Sequence, residues 1–190
     1  MTTSATIIAE TRAWVNRAVI GLNLCPFAKA VHIKDQIRYV VSDASDAEAL
    51  LIALAEELHR LARADPARVD TTLLIHPLAL TDFLDFNDFL ELADATVEEL
   101  GYAGVLQVAS FHPRYQFADT TSDDITNATN RAPYPTLHLL REDSIDRAVE
   151  AFPEAETIFE TNIRTLKKLG AGGWERLQAQ CKKDAAETND

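Results

Sequence analysis

Three apolar segments at residues 37–41, 71–75 and 105–109, separated by two amphipathic stretches of helix length, constrain this chain more than any other feature. Parallel strands need a long crossover between them, and a strand, helix, strand unit supplies one of right-handed sense. The first intervening stretch opens at Asp43-Ala44-Ser45-Asp46, whose polar side chains suit a helix cap. It then places Leu50, Leu51, Leu54, Leu58 and Leu61 on one face before Asp65-Pro66 stops it. The second opens near Thr81-Asp82, runs through Phe83, Phe86, Phe89, Leu90, Ala93, Val97 and Leu100, and halts at Gly101. Residues 136–140 read as a fourth strand. The expectation is a single α/β domain over residues 1–180: about four strands, mostly parallel, flanked by helices, with a long ordered loop between strands three and four.

Both ends of the chain read as helix. Ile7, Ile8, Trp14, Val15, Val19 and Leu22 recur at helical spacing, and Pro26 turns the chain after them. Helical signals resume after Asp143 to about Phe152 and again from Glu154 to Leu169, with a stop at Gly170 and a short amphipathic piece around Trp174 and Leu177. Residues 181–190 are too polar to pack and are expected to form a flexible tail.

Composition excludes several classes. With 30 acidic against 18 basic residues the net charge is −12, so most of the surface repels a phosphate backbone and no nucleic-acid partner is expected. The apolar runs are too short to span a bilayer, and the first residues lack the basic start of an export signal, so no membrane partner is expected. Two distant cysteines, Cys25 and Cys181, form no CxxC spacing, which suits a reducing cytoplasm. Six glycines provide neither a GxGxxG nor a Walker pattern, and no cofactor is expected.

Chemistry concentrates at one edge of the expected sheet. Ligands in open α/β sheets gather outside the carboxyl ends of the parallel strands. Strands two and three end in His76-Pro77 and His112-Pro113, which brings two histidines to that edge. The chain then crosses a long connection carrying Arg114, Asp119, Asp123, Asp124, Asn127, Asn130, Arg131 and Tyr134. Connections of this length in compact domains are functional or disordered, and Phe111, Tyr115, Phe117 and Ile125 argue for order.

The strings GLNLCPFA at 21–28, ASFHPRYQFA at 109–118 and TNRAPYPTLHLLRE at 129–142 resemble the bacterial family catalogued as DUF1415, a domain of unknown function. The resemblance runs from the Trp14 helix to about Leu169. It implies a cytoplasmic single domain and leaves the chemistry to the residues themselves.

Those residues favour an anion site. Arginine grips carboxylate or phosphate bidentately, and Arg114 and Arg131, with Arg141 beyond them, flank the loop of an otherwise acidic chain. Asn127, Asn130 and Tyr134 add hydrogen bonds, and Cys25 joins them as a ligand-facing candidate. The bland alternative has the same arginines pairing with Asp119, Asp123, Asp124 and Glu142 to pin the loop, Arg131 with Asp123 or Asp124 in particular. General acid and base work falls to His112, with His76 second, while His138 in mid-strand reads as a packed histidine. His76, His112 and one of Asp119, Asp123 or Asp124 make a conceivable metal set, but the spacing fits no compact signature and no metal is expected.

The leading expectation is an enzyme acting on a small anionic metabolite at the loop 110–135. A non-catalytic module binding a metabolite or protein through that loop is the alternative, and a thiol or redox protein using Cys25 the second. An open cleft at His112 favours catalysis, whereas a histidine sealed under Phe111 and Tyr115 favours architecture.

Overall fold

The computed structural model describes residues 2–152 and 155–188. Glu154, where a helix start was expected, and the last two residues of the expected tail lie outside them.

The chain opens with helix α1 (Ser4–Trp14), whose cap Thr3 accepts from the Thr6 N–H, and continues into one π-helical segment, Val15–Ile20. A short helix α2 (Ala28–Ile33) leads into β1 (Ile37–Val41). Helix α3 (Ala47–Arg63) is capped by Asp46, and β2 (Thr71–Ile75) follows it. Helix α4 (Phe83–Glu99) is capped by Asp82 and delivers the chain to β3 (Leu106–Phe111). After the long connection come β4 (Thr136–Arg141), helix α5 (Glu142–Glu150) and helix α6 (Ile158–Thr188). No helix among the described residues is long and apolar enough to cross a membrane.

The four strands form one sheet in the order β1-β2-β4-β3. β1 and β2 pair parallel, while β4 runs antiparallel to both β2 and β3. The expected mostly parallel sheet is therefore a mixed one. β4 reverses within residues 112–135 and enters between β2 and β3, so those two strands share a direction without pairing. The central place of β2 agrees with the burial of all five of its residues.

Strand side chains alternate between the two faces of the sheet, and each face has its own core. Leu74, Leu106, Leu137 and Leu139 meet Leu50, Leu54, Leu58 and Leu61 of α3 and Phe86, Phe89, Ala93 and Val97 of α4. Burying each large aliphatic side chain contributes about 1.5–3 kcal/mol, so this layer dominates stability. The opposite face is covered by Trp14, Val15 and Ala18, by Ala128 and Ala132 of the long connection, and by Leu166 and Trp174 of α6.

Two details differ from expectation. Gly170 breaks α6 as anticipated, with a left-handed φ of 69° that favours glycine, but the helix resumes beyond it. It then runs to Thr188 with Cys181 and Ala185 buried and Asp184 paired with Arg17 of the π-helical segment. Residues 181–188 are thus docked where a flexible tail was expected, because Trp174, Leu177, Cys181 and Ala185 extend one apolar stripe at helical spacing. Arg141, grouped in the sequence with the loop arginines, sits at the other end of β4. There it is buried and donates to the carbonyls of Leu61 and Ala64 at the end of α3 and of Val69 in the connection to β2.

Candidate functional site

The register places Ile75, Thr136 and Phe111 side by side at one edge of the sheet. One residue further on, the His76 N–H donates to the Pro135 carbonyl (3.0 Å) and the His112 N–H to the Asn130 carbonyl (3.1 Å). Both imidazoles leave the sheet on the α4 side, and both pack on Phe86, with ring centroids 5.6 Å and 5.2 Å away; Phe83 also packs on His112, at 5.5 Å. The two expected catalytic histidines are thereby brought together. They are also sealed, at 0% and 1% exposure.

Hydrogen bonds fix the neutral form of each ring. His76 Nδ1 lies 3.0 Å from the Ala79 carbonyl, so Nδ1 carries the proton and Nε2 a lone pair. His112 Nδ1 accepts from the Arg114 N–H at 3.0 Å, so its proton is on Nε2. Neither Nε2 finds a hydrogen-bond partner among the described residues. Burial pushes His76 down to about 4, against the opposing Ala79 carbonyl, and His112 lowers it further. Burial also lowers His112, and Arg114 adds to this, while the Leu80 and Thr81 carbonyls and Asp82 oppose it. A protonated Nε2 on His112 gives no lone pair to a metal. Among the described residues, no group of three or more His, Cys, Asp or Glu is placed to hold one.

Residues 77–82 close over this pair. Leu80 adopts φ 52°, a strained conformation for a bulky residue. Arg114 reaches across to the Thr81 carbonyl (2.8 Å) and to Asp82 (3.1 Å), in an ion pair open to solvent.

Most of the loop's polar side chains hold the loop itself. Asn127 is fully buried; its Oδ1 accepts from the Phe117 N–H and the Thr120 hydroxyl, and its Nδ2 donates to the Thr121 carbonyl. Asn130 donates to the Ser110 carbonyl at the end of β3. Arg131 donates through Nε to the Tyr115 carbonyl (3.1 Å) and through Nη2 to that of Ser122 (2.7 Å), so its hydrogen-bond partners are carbonyls, and Asp124 acts on it only through its charge. Asp124 instead caps the 3-10 turn Ile125–Asn130 through Thr126. His138 packs on Phe111 and bonds the Thr71 hydroxyl at 2.7 Å, and burial lowers it to about 4. Cys25 is half-buried, and burial raises its thiol, the opposite of activation, against the Phe27 and Ala28 N–H groups.

A second region lies on the other face. A groove of about 620 Å³ is lined by Glu10 and Trp14 of α1, by Pro113, Arg131 and Tyr134 of the loop, and by Trp174, Leu177, Gln178, Cys181 and Lys182 of α6. It takes in both tryptophans of the chain and neither rim histidine. The Tyr134 hydroxyl donates to Glu10 at 2.5 Å, and burial, then the Glu10 carboxylate, raise its pKa. Arg131 Nη1 has no hydrogen bond among the described residues, and Lys182 has no ion pair there. The family model DUF1415, a protein of unknown function, matches residues 6–176. The chain belongs to this family. Comparison with curated proteins and with solved structures gives no significant match. The DUF1415 match takes in the histidine rim, the loop and Trp174, and ends short of Gln178, Cys181 and Lys182.

Sequence reasoning missed the α6 side of this groove. Its signal was the spacing of Trp174, Leu177, Gln178, Cys181 and Lys182, which recur at i, i+3, i+4, i+7 and i+8 and so share one helix face.

Proposed function

We propose that this chain binds a small anionic molecule, carrying a carboxylate or phosphate, in the groove between the loop 110–135 and α6. The single observation that carries the reading is the convergence of Arg131, Tyr134 and Lys182 on a cavity also lined by Trp14 and Trp174. Its size falls within the range of small-molecule sites, about 300–1,000 Å³, and its mix of apolar rings with a few polar groups is what such sites use. The bonds from Arg131 to two loop carbonyls hold the guanidinium in place before any ligand arrives, which lowers the entropic cost of binding. The ordered loop is then the wall of the site.

Binding takes precedence over catalysis in this reading, because the bases expected to move a proton, His76 and His112, lie sealed on the other face. A thiol function at Cys25 has less support, since burial disfavours its thiolate. The cytoplasmic setting expected from two free cysteines goes with this proposal.

Thermal melting across a panel of phosphorylated and carboxylated metabolites tests it. A ligand at about 100 times its Kd adds about 2.7 kcal/mol, which raises the Tm of a domain this size by about 5–10 °C. Tryptophan emission should change with the same ligand. Lys182→Glu, at an exposed position, should weaken the response without lowering the Tm of the free protein. Stabilisation that leaves tryptophan emission and the Lys182 variant unaffected would place the ligand elsewhere and overturn the proposal.

A further inference from the structure

The charges around the groove are balanced in a chain that is otherwise strongly acidic. Arg131 and Lys182 supply two cations, Glu10 and Glu175 two carboxylates. A simple anion gains from the first pair and is repelled by the second, and a simple cation meets the reverse. A molecule carrying both charges, spaced apart, satisfies both pairs, so charge complementarity selects a dipolar ligand. Glu10 is the fixed end of the acidic side. One of its oxygens, Oε2, takes the Tyr134 hydroxyl, which orients the carboxylate, while Oε1 has no hydrogen bond among the described residues. Arg131 is the fixed end of the basic side, anchored through Nε and Nη2, with no hydrogen bond from Nη1 among the described residues. Trp14 and Trp174, both largely buried, and Leu177 line the same groove and make part of its wall apolar.

We infer that the groove takes a zwitterion of short-peptide size, its ammonium on Glu10, its carboxylate on Arg131 and Lys182, and an apolar side chain on the two tryptophans. The inference rests on the binding function proposed above and narrows its ligand. A free amino acid is small for a space of about 620 Å³, whereas a dipeptide bearing an aromatic residue occupies it and spreads its charges.

Three probes decide the matter: L-leucyl-L-phenylalanine, its N-acetyl form, which lacks the ammonium, and its C-terminal amide, which lacks the carboxylate. Affinity is read from the indole N–H signals of Trp14 and Trp174 in nitrogen-15 correlation spectra. The free dipeptide is expected to bind tighter than either capped form by about tenfold or more, the factor supplied by one charge-assisted hydrogen bond. Glu10→Gln keeps an acceptor for Tyr134, and should remove the preference for the free amine while leaving the N-acetyl form unchanged. If the N-acetyl form binds as well as the parent, the zwitterion inference fails and the anion-binding reading stands. Equal binding of the amide contradicts both, whereas a dipeptide series that leaves the indole signals unmoved overturns the zwitterion inference alone, the metabolite panel deciding the anion-binding reading.

Discussion

The histidine rim and the α6 groove hold the same kinds of side chain in opposite arrangements. At the rim the titratable groups are inside and the aromatic rings close over them: His76 and His112 are sealed against Phe86, and Arg114 ties residues 77–82 down from outside. At the groove two largely buried tryptophans, Trp14 and Trp174, line the same cavity as the charged side chains of Glu10, Arg131 and Lys182. Position at the carboxyl end of the strands drew attention to the first region. The cavity lies at the second. A buried imidazole is held neutral by its surroundings and is spent on packing and two fixed tautomers, whereas a half-buried arginine anchored to carbonyls still has donors to offer.

The sharpest break between the regions is expected from Phe86→Ala. That ring supports both imidazoles and fills the α3 and α4 core, so its removal should cost about 3–5 kcal/mol of stability. Urea denaturation measures the loss. The fraction still folded should retain the groove, and ligand affinity there should hold.

Acid provides the next largest effect. Burial sets the folded pKa of His76 at about 4, below its unfolded value near 6.5. The folded state therefore binds fewer protons in this window, and stability is full above about pH 6.5 and falls as the pH drops toward about 4. By about pH 5 the contribution of His76 alone is a loss of roughly 2 kcal/mol, and His138, also lowered to about 4, adds in the same direction. Denaturation midpoints at pH 7 and pH 5 check this, and His76→Gln should flatten the dependence. A rim open to water would show little of it.

The smallest effect links the two regions through the loop. Arg131→Ala removes two hydrogen bonds to loop carbonyls and should cost the free protein about 1–3 kcal/mol. It should also abolish ligand stabilisation, because the same guanidinium lines the groove. Melting curves with and without ligand separate these two contributions.

Much of the scaffold was legible from periodicity. The strand and helix segments of both crossovers were marked by their apolar spacing, and Asp46 and Asp82 cap α3 and α4 within the polar clusters that signalled them. The place of β4 was not legible. Strand order depends on where residues 112–135 bring the chain back, and nothing local in Thr136–Arg141 encodes whether it joins an edge or enters between β2 and β3. The convergence of His76 and His112 could be read from the matched strand ends, but their burial could not, since it depends on the fold of residues 77–82 and the insertion of Phe86. Arg131 and Tyr134 were found as chemistry-bearing residues. Their partners were missed because these lie far along the chain: Glu10 beneath Tyr134, and the α6 face that continues past Cys181.

Long-range proton–nitrogen correlation spectra of the histidine side chains, recorded on ligand-free protein from about pH 7 to about pH 5, test the contrast most directly. The account predicts His76 protonated at Nδ1 and His112 at Nε2, each as a single tautomer, with His76 neutral through this range and His112 titrating below its ordinary value because burial disfavours its charged form. Either imidazole titrating near pH 6.5 with its tautomers in exchange would mean that the rim is open to solvent. That result would contradict the sealed rim and return His112 to the centre of a catalytic reading.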